Sequence, residues 1–390
     1  MSLRIPSAEA HARFLETRSF GSLDGLRALS IIAVLWHHTH EGFRAWPISQ
    51  RGFLGVDLFF VISGFLIVTL LLRERRRTGA ISLRSFYARR FLRIFPAYYA
   101  MLALVALVAF AFPGNSSANV RRDLPYALLY VSNMVPMLSM LGITWSLSTE
   151  EQFYLVIPTL ERYARRAMPA ILVGGYVLLS LPPFGVLPGV EMPPFFRQTT
   201  FGPILLGVML AHVMHDPRGY AWLWRALGSP LSPLAAAALV VLAVSIPGED
   251  ISGWIRIAIH ASFVVLLASC VVQERQVLRP LLSIRPLARI GLVSYGIYLY
   301  HLIAAHGVGK LLGRLHVTSQ LAYFVVTSLA AWGVAELSYR LFESRFLALK
   351  DRFDPVRSRA KQVAAAPQLP TPPHTEPAFE VQRSPAAPGA

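Results

Sequence analysis

The sequence predicts an all-α protein, a polytopic membrane bundle of about ten transmembrane helices around a central cavity. Three observations predict it. Of 390 residues, 54% are hydrophobic and only 15% charged, with a mean hydropathy of +0.49; two or three soluble domains would fit the length but not this balance. Apolar runs of about 20 residues, enough to cross a bilayer, recur along the chain. Lys and Arg crowd into alternate connecting segments: 28 of the 37 fall in one set and 7 in the other, with Arg27 and Arg256 inside spans. Cytoplasmic loops carry that excess, so both termini are expected in the cytoplasm of a multi-pass plasma (inner) membrane protein.

The same clustering bears on partners. A formal charge of +16 can signal nucleic acid, but here the arginines lie between apolar spans, and the expected partner is the bilayer. The one cysteine, Cys270, sits in an apolar run. Neither a disulfide framework nor a metal set is expected, and a buried free thiol reads as packing.

Taken in order, residues 1–21 are polar, without an apolar leader core or a small-residue cleavage site. They read as a cytoplasmic segment ahead of an uncleaved first span. Spans are expected near 22–42, 52–72, 93–112, 146–164, 169–187, 199–215, 231–247, 253–272, 287–308 and 319–341. The stretch 122–141 is apolar but interrupted by Pro125, Asn133 and Pro136. It reads as re-entrant or interfacial, because broken backbone is tolerated at membrane depth only where protein or water satisfies it. The membrane domain is expected over 22–347. Residues 348–390 read as a disordered, Pro- and Ala-rich cytoplasmic tail, too short for a further catalytic domain. There is no internal repeat of the kind many transporters show.

Candidate chemistry concentrates in 22–65. The first span carries Asp24, Arg27, His37, His38 and Glu41, and the second carries Asp57; ionisable groups at membrane depth mark function by default. On a helix, His38 lies about three turns plus 20° beyond Arg27, on the same face and about 16 Å away. His37 falls about 80° to the side and His40 nearly opposite. Asp24 and Glu41 return to the stripe. A polar stripe on an apolar helix is expected to face a cavity. Snorkelling at the helix end is an equal reading for His40 and Glu41, but two groups three turns apart cannot share one interface.

Topology places His38, Asp57 and the pair Glu150 and Glu151 in one outer layer. A histidine at the depth of a carboxylate suits a general base, since the carboxylate orients the ring and favours the imidazolium. Asp57 has a second reading, satisfying a backbone end or pairing with Arg51. Glu150 and Glu151 have one as well, a helix N-terminal pair favoured by the macrodipole. Arg27, nearer the cytoplasm, suits a phosphate or carboxylate partner. At the inner surface, Arg89 and Arg93 share a helical face, with Arg90 turned by about 100°; ordinary positive-inside anchoring explains all three equally well. His301 follows Tyr295 and Tyr298 at intervals of three, as cavity lining or as a satisfied structural histidine. Arg256, four before His260, reads as an acceptor contact or as snorkelling to the outer headgroups. Gly64, in Ser63-Gly64-Phe65, reads as close packing.

Four motifs in fixed order, LDGLRA followed by the histidine, GVDLFFVISGFL, RRFLRIFPAYY and WSLSTEEQFYL, resemble those of the integral-membrane acyltransferase-3 family. SYGIYLYH matches its weaker C-terminal signature, and the resemblance runs from about Ser22 to Leu347. It implies an enzyme that moves an acyl group, usually acetyl from acetyl-CoA, to a hydroxyl of a glycan or glycosylated small molecule. Acetyl-CoA would be a co-substrate and no cofactor would be permanently bound. The resemblance further implies that Arg27 and His38 are the family's Arg-x10-His pair, and that Arg89, Arg90 and Arg93 bind the CoA phosphates. A lipid-linked glycan transporter would also line a cavity with charge, and a membrane scaffold would have no use for Arg27 and His38. The acceptor stays open among surface polysaccharide, peptidoglycan and glycosylated metabolites.

Overall fold

The computed structural model describes residues 6–17, 19–39, 47–112, 114–180, 201–248, 251 and 253–353, and among these every regular element is helical. The principal helices are α1 (Ser7–Glu16), α2 (Gly21–Thr39), α3 (Leu54–Thr78), α4 (Leu83–Ala111), α5 (Asn115–Leu128), α6 (Thr144–Tyr163) and α7 (Met168–Ser180). They are followed by α8 (Phe201–His215), α9 (Pro217–Leu227), α10 (Ser232–Val244), α11 (Gly253–Val272), α12 (Arg285–Leu292), α13 (Ser294–Arg314) and α14 (Gln320–Ser338). The expectations for His40, Glu41 and the tail beyond residue 353 lie outside the described residues.

A helix stands at each of the ten apolar stretches, but among the described residues the candidate spans number four to seven, not clearly ten. Four helical stretches are long and apolar enough by themselves: α3, α4, α11 and Gln320–Leu349. Three bent pairs, α1 with α2, α9 with α10 and α12 with α13, raise the number to seven at most. Helix α10 has 13 residues, short of the roughly 20 that a bilayer requires, and α7 and α8 have 13 and 15 among the described residues, flanking residues 181–200, which lie outside them. Helix α6 has 20 residues but carries Glu150, Glu151, Glu161 and Arg162.

Helix α3 is the axis of the packing, buried along most of its length and in contact with α2, α6, α8 and α11. Its crossing with α8 is a glycine contact on both sides: a Cβ on Gly64 would lie 2.1 Å from the Ile204 carbonyl oxygen, and one on Gly207 2.2 Å from that of Val61. Gly55 does the same against the Ser30 carbonyl of α2. In a membrane, where lipid removes the hydrophobic drive between helices, such close backbone approach supplies the packing. Of the two glycines in the GVDLFFVISGFL motif, Gly55 therefore seats α3 directly against the helix that carries Arg27 and His38, and Gly64 seats it against α8.

Two segments hold structure that composition did not reveal. The polar N-terminal segment contains α1, whose Phe14 is buried, and Arg73 donates to the Phe14 and Thr17 carbonyls at 2.7 and 2.5 Å. Of the stretch 122–141, residues up to Leu128 are helical within α5, Pro125 included, so that proline does not interrupt the helix; the part beyond, with Asn133 and Pro136, is irregular as expected, and side chains satisfy its backbone. Asp123 accepts from the Leu138 and Ser139 amides, Tyr98 donates to the Ala127 carbonyl, and Gln152 donates to the Tyr130 carbonyl. Gln152 and Asn133 also exchange two amide hydrogen bonds, at 2.9 and 3.0 Å. Broken backbone is thus paid in side-chain hydrogen bonds, as burial away from water demands.

Candidate active site

A cavity opens where α2, α3, α4, α6 and α13 meet. Arg27 enters it from α2, Arg90 and Arg93 from α4, Glu150 and Tyr154 from α6, and Tyr295 and Tyr298 from α13; α3 supplies Val56, Phe59, Phe60 and Ser63. The space between these side chains, its open mouth included, is about 770 Å³. Arg90 and Arg93 are three apart, so one face of α4 aims both inward. Arg27 is held by Asp24 one turn earlier, Nη1 to Oδ1 3.4 Å. The Arg90 guanidinium lies over the Tyr154 ring at 5.1 Å, a cation–π contact that fixes it in place. Tyr154 donates its hydroxyl hydrogen to Glu150. Three guanidinium groups against one lining carboxylate make a site for a polyanion, because their forked donors match phosphate oxygens.

His38 stands beside this cavity and not on its wall. Its Nδ1 lies 3.0 Å from the Val34 carbonyl oxygen, and its ring meets that of His301 edgewise at 4.8 Å between centroids. His301 is fully buried, with Nδ1 2.6 Å from the Tyr298 carbonyl. Tyr298 lines the cavity and donates its hydroxyl to the Ile143 carbonyl at 2.9 Å, with Ser146 Oγ 2.7 Å away. Ring contacts thus link the cavity wall to His38, Tyr298 to His301 at 5.5 Å and His301 to His38 at 4.8 Å. His37 points elsewhere, exposed and against Phe53 at 5.4 Å, in keeping with the angle between the two positions on α2.

Several expectations are corrected. No carboxylate bonds to the His38 ring among the described residues; its neighbour is a second histidine. Asp57, expected to orient that ring, is instead buried against α11, with Arg256 Nη2 at 2.7 Å and His260 Nε2 at 3.0 Å. Arg256, read as an acceptor contact or as snorkelling to the headgroups, pairs with Asp57 and has His260 Nε2 3.1 Å from its Nε. Arg51, the other partner considered for Asp57, instead donates to the carbonyls of Val244, Ile246 and Gly248. Arg89 is drawn off the cavity by Glu74, at 3.2 Å, and by the Phe353 carbonyl at 2.7 Å. Of the arginine run, it is Arg90 and Arg93 that converge with Arg27. Glu150, not Glu151, lines the cavity, and neither lies in the first turn of α6, so the macrodipole reading fails for both. Cys270 is buried, as expected of a packing thiol.

Tyr295 and Tyr298 line the cavity, as their spacing suggested, while sequence reasoning missed the bond between Ser146 and Tyr298 and the Asn133–Gln152 pair. The signal for the last was present, since two amides in otherwise apolar surroundings demand partners.

The fold and cavity define a helical membrane protein with a cationic, polar chamber inside its bundle. Comparison with known proteins goes further. The family described as "Acyltransferase domain" (acyltransferase-3) matches residues 20–336, and the chain belongs to it. The chain is 30% identical over 361 residues to the peptidoglycan O-acetyltransferase OatA of Listeria monocytogenes, covering 83% of this chain and 55% of the relative. It is 29% identical over 363 residues to the O-acetyltransferase OatA of Staphylococcus aureus strain NCTC 8325, covering 84% and 57%. The chain thus spans little more than half the length of the curated relatives it matches. No solved structure matches it.

Proposed function

We propose that the chain is a membrane-bound O-acyltransferase that moves an acyl group, acetyl in the first instance, from acyl-CoA on the cytoplasmic side to a hydroxyl of a carbohydrate-containing acceptor. The observation that carries this reading is the convergence of Arg27, Arg90 and Arg93 on one cavity, with His38 and His301 in the adjoining layer. The arginines are suited to the phosphates of CoA, the most highly charged part of such a donor. The 28-to-7 distribution of Lys and Arg supports a cytoplasmic donor site. The Listeria relative's name makes peptidoglycan the first acceptor to try.

In the simplest sequence the acceptor hydroxyl gives its proton to His38 as its oxygen attacks the thioester carbonyl. The new C–O bond forms, the C–S bond breaks, and the proton returns to the CoA sulfur, leaving free thiol and an O-acyl ester. His38 fits this role because Nδ1, facing the Val34 carbonyl, carries the ring hydrogen and leaves Nε2 with a lone pair. The same lone pair fits the alternative, attack by His38 on the thioester to give an acyl-histidine that the acceptor then resolves.

The test is release of free CoA from acetyl-CoA by purified protein, with and without a crude cell-envelope glycan extract. Acceptor-dependent release is expected. His38→Ala is expected to lower it by about 100-fold or more, the range for loss of a general base. His37→Ala, pointing away from the chamber, is expected to keep most of it. A glycan transporter would bind the extract and release no CoA, and that result overturns the proposal.

A further inference from the structure

We propose that His301 is a positioning residue for His38, and that the two rings form a histidine pair sharing the proton that acyl transfer displaces. The inference rests on the acyl-transfer reading and goes beyond it by giving His301 a task. Three observations carry it. First, both rings face a backbone carbonyl through Nδ1, His38 that of Val34 at 3.0 Å and His301 that of Tyr298 at 2.6 Å. A carbonyl only accepts, so each Nδ1 carries the hydrogen and each Nε2 carries a lone pair. Second, His301 is fully buried and its Nε2 has no hydrogen-bond partner among the described residues. Such an orphan is unfavourable and calls for an explanation. Third, the ring it meets is that of His38, edgewise at 4.8 Å between centroids. That separation lets the nitrogens meet once the rings turn edge to edge.

In the resting state both Nε2 atoms are acceptors and neither satisfies the other. Once His38 takes the acceptor's proton, its Nε2–H becomes a donor, and the waiting Nε2 of His301 is the neighbour able to receive it. The proton then sits between the two nitrogens until it passes from His38 to the departing CoA sulfur. His301 begins and ends the cycle neutral, so atoms and charge balance without a further reactant. The interaction is absent in the ground state and present when charge develops, which is the condition for lowering a barrier and not merely for binding substrate. A carboxylate in this position would hold His38 charged beforehand; a neutral histidine leaves it a base. The other titratable groups facing the pair are His37 on α2 and Tyr298 on α13, and no carboxylate or guanidinium bonds to either ring among the described residues.

The test uses the full chain in lipid nanodiscs, with wild type, His301→Phe, His301→Gln, His38→Ala and the His301→Phe/His38→Ala double variant. His301→Phe is expected to lower kcat about tenfold or more while the KM for acetyl-CoA stays within about twofold. His301→Gln, whose amide can donate to the Tyr298 carbonyl and accept from His38, is expected to recover part of that loss. Adding His301→Phe to His38→Ala is expected to cost nothing further, since one residue acts through the other. Wild-type kcat in His301→Phe, or an equal loss on the His38→Ala background, overturns the proposal. A second readout is independent of turnover: ¹⁵N spectra of histidine-labelled wild type in bilayers are expected to show a lone-pair Nε2 on both rings at neutral pH. A His301 protonated on Nε2 overturns the pair whatever the activity. A wild type that releases no CoA overturns the acyl-transfer reading instead, and the spectrum then decides the pair alone.

Discussion

Arg89 and Arg90 are neighbours in the chain and meet opposite fates in the fold. Arg89 is anchored to Glu74 and the Phe353 carbonyl, whereas Arg90 lies over Tyr154 with its charge in the cavity. Arg90→Gln or Arg93→Gln is therefore expected to raise the KM for acetyl-CoA about 10- to 100-fold, the effect of losing a charged hydrogen bond of about 1.5–3 kcal/mol. Arg89→Gln is expected to leave that KM within about threefold and to lower thermal stability instead, by leaving the buried Glu74 without its ion pair. Steady-state kinetics with acetyl-CoA, together with a melting curve for each variant, separates the two. At this scale the sequence was legible in part. Helical phase identified the arginine run and the divergence of His37 from His38, because both are properties of one helix. It paired Arg89 with Arg93 because the capturing carboxylate belongs to α3, and a contact between helices leaves no mark on the periodicity of either. Asp57 escaped for the same reason, its partners Arg256 and His260 lying about 200 positions along the chain.

The elements were legible as apolar stretches, each of which has its helix. Their ability to span was not, because helix length depends on where caps and bends fall, as at the junction of α12 and α13, bent by 77°. The crossing of α3 and α8 shows what sets their packing. At Gly64 and Gly207 each backbone occupies the place of the other's missing side chain. Gly207→Ala would place a methyl carbon 2.2 Å from the Val61 carbonyl oxygen, and a backbone atom cannot swing aside as a side chain does. The helices must separate, at a cost of about 1–3 kcal/mol, typical of overpacking. Gly207→Ala is expected to lower the melting temperature of detergent-solubilised protein, whereas Gly174→Ala, with open space at its Cβ, is expected to leave it unchanged or raise it. Equal melting temperatures for wild type and Gly207→Ala would show that this crossing is not tight. Gly64 was read from the sequence as a packing residue, and the crossing gives that reading its partner.

For the whole molecule, the proposed chemistry divides between the two faces of a membrane. The proposed donor is a cytoplasmic metabolite, and the arginines that would suit it enter from the basic end of α4, while His38 lies in the last turn of α2. The chamber holds the arginines and ends at Tyr298, so a thioester on the long pantetheine arm would have to pass Tyr298 and His301 to meet His38. The most direct measurement supplies labelled acetyl-CoA to one side only of sealed vesicles that contain the protein and a cell-wall glycan acceptor. Inverted vesicles, with the cytoplasmic face outward, are expected to transfer label to the glycan, and right-side-out vesicles are expected not to do so until they are permeabilised. Label on the glycan from right-side-out vesicles, or none in either orientation after permeabilisation, would contradict the account.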